Sequence, residues 1–525
     1  MKGDLVQQEG IKIVKRKYSI IKNNSTSIKV KNNSSSISTV KELGLSYDDV
    51  LLIPKKSSVN SRKEVSTETR LTKNIKIKIP IVSANMDSVT ESEMAIKMAQ
   101  LGGIGIIHRF NTIQEQVAHV RRVKRYSNAI IENPVTISQD KTLTQAKEIM
   151  IKNHVTGLLV VDDYDGELIG ILTTRDIRFN PPEQKLVSEL MTSKEKLITL
   201  EVETKNKEIK NKAFVIEEAK KILIKNKIEK LPLVENRKIV GLITGKDIHR
   251  REKYPNASLD HKHRLIVGAA IGVKAEALER AEALVESNVD VLVIDIAHGH
   301  SDLVIETLKK LKTRFPNVEV IAGNVATAEG TRDLIEAGAD AIKVGIGPGS
   351  ICTTRIMTGA GYPQLSAVIN CSKEADKYNV PVIADGGIKF SGDITKAIAA
   401  GTSCVMLGNL LAGTDESPGT AIIKNGKKFK VIRGMASFGA KLGRNISENN
   451  SKKENIAEYT PEGVEATVPY RGNVSEVINQ LLGGVKSGMS YVGANKIDEI
   501  RGKAAFVRIT NSGLKESHAH DVNLI

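Results

Sequence analysis

The 525-residue chain has no tryptophan, and only 3% of it is aromatic. That scarcity leaves few flat platforms on which bases could stack, which argues against nucleic-acid binding as the main function. Cysteine is scarce too. Cys352, Cys371 and Cys404 are too few and too scattered for a disulfide framework or a zinc site, and they fit a reducing compartment. No apolar run approaches the roughly 20 residues of a membrane span, and the N-terminus lacks the apolar core of an export signal. The expected protein is soluble, cytoplasmic and without a membrane partner. Its 77 Lys and Arg outnumber 61 Asp and Glu, for a formal charge of +16. A basic excess suits anionic partners, either nucleic acid or phosphorylated metabolites. The length suggests two or three domains.

Residues 1–40 read as a disordered basic tail. Within NNSTSIKVKNNSSSIS (23–38), ten of sixteen residues are Asn or Ser, too polar to offset the entropy of ordering. From residue 79 a pattern repeats: a short apolar run, a Gly- or Asp-bearing loop, then an amphipathic helix. The runs are IPIVSAN (79–85), GGIGIIH (102–108), LIVGAAIG (265–272), DVLVIDI (290–296), VEVIAGN (318–324), AIKVGIG (341–347), VPVIADGG (380–387) and CVMLGN (404–409). Continuous apolar runs alternating with helices predict parallel strands covered on both faces. Eight units predict an α/β fold of the (β/α)8 barrel type, over 41–130 and 255–525. A doubly wound sheet is the alternative and does not naturally supply eight.

About 135 residues separate the second and third runs, far beyond an ordinary connection. They hold an internal repeat, GILTTRDI (170–177) and GLITGKDI (241–248), and each copy follows an amphipathic helix and a strand-like run. The pattern resembles paired cystathionine-β-synthase-type (CBS) modules, a tandem Bateman domain over 131–254. That resemblance implies a regulatory purine nucleotide, with Thr173, Asp176, Thr244 and Asp247 as its candidate contacts. The simpler alternative is that Asp176 and Asp247 only cap helices.

GIGPGSICTTR (345–355) places Cys352 just past the sixth strand, where barrel enzymes do chemistry. Glycines 345, 347 and 349 permit sharp bends whose backbone groups can face a ligand or cation. Gly, Pro, Ser and Thr neighbours do not make an apolar core, so a buried structural thiol is disfavoured here, whereas Cys371 and Cys404 fit that role. ADGG (384–387) and LGN (407–409) close strands seven and eight, where such barrels often hold phosphate. Asp385 would repel phosphate and suits ribose hydroxyls. Together these describe a nucleoside monophosphate beneath a thiolate nucleophile.

With LSYDDVLLIP (45–54), GMAS (434–437) and ESHAHD (516–521) added, the chain resembles the IMP dehydrogenase/GMP reductase family over residues 45–520. The resemblance implies that Cys352 attacks C2 of the purine and that Thr354 sits beside the leaving group. Ser350, Gly387 and Gly408 would hold the phosphate, with Gly386, Asn409 and Met435 also on the substrate and Asp385 on the ribose. Asp295 and Asn324 would line the nicotinamide side. The carbonyls of Gly347, Gly349 and Cys352 would bind a monovalent cation, K+ by analogy. The family forms homotetramers, which CBS pairs can join into octamers.

Both family reactions pass through one purine thioimidate on the cysteine. The dehydrogenase passes hydride to NAD+ and hydrolyses the adduct to XMP, using an Arg-Tyr pair on a flap. The reductase expels ammonia from GMP and accepts hydride from NADPH, giving IMP. The corresponding stretch here, AKLGRNISENNSKKENIAEYT (440–460), has Arg444 followed by Asn445 and no Arg-Tyr pair. SANMDSVTESEMA (83–95), TGAGYPQLSAV (358–368), SYVGA (490–494) and GMAS also resemble reductase spellings. Glu462, in PEGVEA (461–466), would then pair with Thr354 to protonate the ammonia. The inserted CBS pair and ESHAHD tail are commoner in dehydrogenases, so IMP oxidation with NAD+ stays open as the alternative. A nucleotide sensor on an inert barrel is a third reading, and the intact thiol loop argues against it.

Overall fold

The protein, seen in a computed structural model, is described at residues 28–29, 39–40, 43–126, 130–153, 155–178, 185–205, 208–274, 276–440, 442 and 460–522. The expected tail lies outside these residues except for one antiparallel pairing, Ile28–Lys29 with Thr39–Val40.

Each of the eight apolar runs forms a strand: β1 (Ile81–Ser83), β2 (Ile104–Ile107), β3 (Gly268–Ile271), β4 (Val291–Asp295), β5 (Glu319–Val325), β6 (Ala341–Val344), β7 (Val382–Asp385) and β8 (Cys404–Leu407). They close into a parallel barrel in the order β3-β4-β5-β6-β7-β8-β1-β2. The helices that follow are α1 (Ser92–Gln100), α2 (Ile113–Tyr126), α3 (Ala277–Glu286), α4 (Asp302–Arg314), α5 (Ala328–Glu336), α6 (Gln364–Asp376), α7 (Ser391–Ala399) and α8 (Val474–Tyr491).

Strand residues alternate between two buried layers, which is why the runs are apolar without a break. Val82, Ile106, Ala270, Val293, Ile321, Ala341, Ile383 and Met406 fill the barrel interior. Their neighbours Ile107, Ile271, Leu292, Ala322, Ile342, Ala384 and Val405 pack outward against the helices. By the same alternation Asp295, Gly323, Lys343 and Asp385 face inward at the C-terminal rim. Asp295 lies opposite Gly323, and Gly323 opposite Lys343.

The insertion lies between α2 and β3, at the end of the barrel opposite that rim. Its first lobe is a four-stranded sheet carrying Gly157–Val161 and Leu168–Thr173, and its second a three-stranded sheet carrying Lys230–Glu235 and Lys238–Thr244. Leu159, Leu168, Ile171, Val234 and Leu242 join the two lobes in one buried cluster. The two chain crossings are tied to the barrel. Lys124, at the end of α2, reaches Asp260 at 3.1 Å on the returning segment ahead of β3 and Asp290 ahead of β4 at 2.5 Å, all three nearly buried. Tyr126 lies under the Arg250 guanidinium, 4.3 Å from its ring centre.

Candidate functional site

The cysteine loop leaves β6 through Gly345, at φ +150°, where a Cβ would lie 2.1 Å from the Asp385 carbonyl oxygen. Only glycine lets β6 and β7 approach so closely. Gly347 also has positive φ (+80°), whereas Gly349 does not; its carbonyl accepts the Cys352 N–H at 3.1 Å. Cys352 is half-buried, and its thiol donates to Thr354 Oγ1 at 3.2 Å. The other two cysteines match their expected structural role. Burial pushes the Cys371 thiol up to about 12 and the Cys404 thiol higher still, so neither ionises usefully near neutrality.

Three motifs distant in sequence are stitched together around Cys352. Thr353 N–H donates to the Glu462 carbonyl at 2.9 Å, Glu462 N–H to Ala436 at 3.0 Å, and Val464 N–H to Ile351 at 3.0 Å. Glu462 therefore arrives beside the thiol loop through its backbone, and Met435 with it. The 443–459 stretch, including Arg444, lies outside the described residues. The one Arg-Tyr dipeptide in the chain, Arg125-Tyr126, ends α2, far in the fold from this loop.

Gly386 and Gly387, at φ +89° and +80°, follow β7. A Cβ on Gly386 would meet Pro348 and Gly349, so this turn rests on the cysteine loop. Gly408 and Asn409 follow β8 next door, with Gly408 against Met86. Ser350 is exposed within the same mouth. The ordering of β6, β7 and β8 thus brings Ser350, Gly386, Gly387, Gly408 and Asn409 to adjacent positions on one rim.

The geometry adds a residue that motif reading missed. Lys343 is almost completely buried, with Nζ 2.9 Å from Asp385 Oδ2 and 3.7 Å from Asp295 Oδ1. Burial alone would push its ammonium down, but the two carboxylates outweigh burial and hold it above the usual lysine range. Asn324 Nδ2 donates to the same Asp385 Oδ2 at 3.0 Å and to the Gly345 carbonyl at 2.8 Å. Asn324 is thereby brought to Asp385, while Asp295 lies across Lys343 from it. Gln364 Nε2 holds the Asp385 backbone carbonyl at 3.2 Å. The available signal was a lone lysine inside the apolar run AIKVGIG.

In the insertion both Thr–Asp pairs bond to each other, but the expected caps are reversed: Thr173 and Thr244 are the N-caps, and Asp176 and Asp247 stand at the third helical position. Asp176 Oδ2 accepts from Thr173 N and Oγ1 at 2.7 and 2.8 Å, and Thr244 Oγ1 donates to Asp247 at 2.5 Å. The copies differ otherwise. Thr173 and Asp176 line a cleft of about 1270 Å³ whose wall carries Lys147, Arg175, Arg178, Lys196, Lys227 and Lys230 against Asp176 and Glu229. Asp247 is buried, and burial lifts its carboxyl despite Thr244 and Arg250.

Among the described residues no cluster of His, Cys, Asp and Glu is built to hold a metal, and no helix is long and apolar enough to cross a membrane. Three neutral carbonyls, Gly347, Gly349 and Cys352, are a donor set suited to a singly charged cation. Asn324 Oδ1 is buried without a partner among the described residues, so it is an acceptor a bound carboxamide or hydroxyl would satisfy.

Residues 44–520 match the model of the IMP dehydrogenase / GMP reductase domain. The chain is 54% identical over 484 residues to inosine-5'-monophosphate dehydrogenase of Aquifex aeolicus, covering 92% of this chain and 96% of that one. It is 49% identical over 488 residues to GMP reductase of Leishmania major, covering 91% and 97%. A crystal structure of a cysteine-to-alanine GMP reductase from Trypanosoma brucei, in complex with guanosine 5'-monophosphate, superposes with a TM-score of 0.84 at 46% identity. The match covers 94% of this chain and all of that one.

Proposed function

This chain belongs to the IMP dehydrogenase/GMP reductase family, and from that premise we propose that it reductively deaminates GMP to IMP with NADPH. One observation carries the reading. The segment bonded to Thr353 brings Glu462 beside Cys352 and Thr354, while the stretch before it has no Arg-Tyr pair to activate water.

The Cys352 thiolate adds to C2 of GMP, with the phosphate held by Ser350, Gly387 and Gly408 and the ribose by Asp385. Gly386, Asn409 and Met435 complete the nucleotide's surroundings. Thr354 and Glu462 pass a proton to the 2-amino group, which leaves as ammonia; such an acid must come within about 3 Å of the nitrogen. The purine stays on sulfur as a thioimidate. Reduced nicotinamide, on the Asp295 and Asn324 side, supplies a hydride when bound. Cys352 then departs as thiolate and IMP is released. The sum balances: GMP, one hydride and one proton give IMP and ammonia. A monovalent cation on the Gly347, Gly349 and Cys352 carbonyls would brace the loop.

In the insertion we read the basic cleft as a CBS-type purine nucleotide site acting on a homotetramer or an octamer. Six cationic side chains against two acidic ones suit a polyphosphate.

The second reading is oxidation of IMP to XMP with NAD+, favoured by the ESHAHD tail and the name of the Aquifex relative. Purified protein given GMP and NADPH, and separately IMP and NAD+, decides between them by reduced-cofactor absorbance. NADPH consumption that requires GMP is the expected result; NADH appearing with IMP would overturn the proposal.

A further inference from the structure

The rim of the barrel holds a buried cation with no part in the chemistry above. Lys343 lies on β6, Asp295 on β4 and Asp385 on β7, so three strands meet at one ammonium. The strand between the first two supplies glycine, not a side chain. Gly323 sits between Asp295 and Lys343 in register, and a Cβ there would come 2.5 Å from the Lys343 carbonyl and 2.7 Å from its Cβ. The lysine stem therefore crosses the rim through space that any larger residue on β5 would fill.

The bonds on Asp385 are one-sided. Lys343 and Asn324 both donate to Oδ2, and Gln364 holds the backbone carbonyl. A carboxylate gripped at one oxygen cannot rotate freely, and its other oxygen keeps its lone pairs for a ligand. A charged ammonium and an amide N–H meeting at Oδ2 hold the carboxyl plane in one orientation across the rim.

We infer that Lys343 is the positioning residue for ribose recognition: it fixes Asp385 so that Oδ1 accepts from the ribose hydroxyls of the nucleotide. The inference rests on the reading of Asp385 as the ribose acceptor and is independent of which family reaction follows. Lys343 touches neither purine nor sulfur; it acts through Asp385. Its second carboxylate, Asp295, keeps the ammonium seated when the nucleotide site is empty.

The test is equilibrium binding without cofactor, using the full chain and four probes: GMP, IMP, and the 2'-deoxy and 3'-deoxy forms of GMP. Wild type should bind GMP at least about tenfold more tightly than whichever deoxy form lacks the recognised hydroxyl, the scale of a hydrogen bond to a charged group. Lys343→Met should weaken GMP and IMP by a similar factor, leave that deoxy form within about threefold of its wild-type affinity, and so erase the discrimination. A purely structural role would weaken all four probes alike. Removing the cation alone could unfold the rim, so Lys343→Met with Asp295→Asn keeps the cluster's net charge and should show the same erased preference. A discriminating wild type with equally discriminating variants overturns the role of Lys343 alone. A wild type blind to both hydroxyls overturns the ribose reading of Asp385, and this inference with it.

Discussion

Thr353 donates its backbone N–H to the carbonyl of Glu462 at 2.9 Å, and that bond ties the loop bearing the thiol to the turn bearing a carboxylate. Because the link is between backbones, the Glu462 side chain can be changed without undoing the junction. Glu462→Gln should lower kcat for GMP by roughly 10²–10⁴-fold, the range for a lost general acid, with little change in circular dichroism. Thr354→Val should do likewise. A kcat within about threefold of wild type would remove both from the proton path.

Cys352 should be the only thiol that iodoacetamide alkylates in the folded protein. It is half-buried and free, while burial holds Cys371 at about 12 and Cys404 above that, and the thiolate is the reactive form. Peptide mass mapping checks this. Cys352→Ser should abolish turnover and leave the melting temperature within a few degrees; labelling of Cys371 before Cys352 would contradict the assignment.

Gly345→Ala should destabilise the protein by more than about 2 kcal/mol, combining a left-handed backbone with a steric overlap. The added carbon would meet the Asp385 carbonyl oxygen at 2.1 Å, and φ is +150°. Activity should fall with stability, since the same contact joins the cysteine loop to the β7 turn. Gly359→Ala, with nothing within 4 Å of its Cβ position, is the control for backbone strain alone. Urea unfolding of both variants separates the two costs, and equal losses would show that the overlap relaxes.

Lys124→Met should cost roughly 3–5 kcal/mol, because it removes the cation shared by two nearly buried carboxylates; Asp260 keeps Arg264 at 2.9 Å, whereas Asp290 loses its ammonium and keeps the neutral Val267 N–H at 2.7 Å. The loss should appear in the main unfolding transition, since the cluster joins the barrel to both crossings of the insertion. A loss below about 1 kcal/mol would mean that water reaches the carboxylates and pairs with them instead.

His119, on α2, contacts Ser92 at the start of α1 through Nδ1 at 3.2 Å and lies 3.8 Å from Glu91. Burial holds its imidazole below the ordinary histidine range, and the attraction of Glu91 only partly opposes this. The folded protein binds this proton less readily than the unfolded chain. The contribution is complete above about pH 6.5, the unfolded value, and is lost as pH falls toward the depressed folded value. His119→Gln should therefore flatten the decline in the urea midpoint below about pH 6.5, and an unchanged slope would assign that decline to other groups.

Local patterning made the barrel legible before any coordinates. All eight apolar runs are strands, because a strand buried on both faces must be apolar at every position. The repeat in the insertion was equally plain, since Gly170 and Gly241 head identical local problems of strand turning into helix. Lys343 escaped because one lysine in AIKVGIG looks like a solvated exception until its neighbours are known. The capping alternative named Asp176 and Asp247, whereas the caps are Thr173 and Thr244 with the aspartates three residues on; Thr and Asp are both good caps, so spelling alone did not say which of the two begins the helix.

The amino-acid sequence by itself determined the eight-unit barrel, the insertion with its repeat, and the thiol loop with its glycines, because each is written in contiguous residues whose periodicity or spelling is local. Tertiary structure alone decided which distant groups share a bond. Asp295, Asn324, Lys343 and Asp385 come from four different strands, and their meeting depends on strand order and register. Those are settled by the closure of the barrel and its packed interior, a property of the whole chain that no single segment carries.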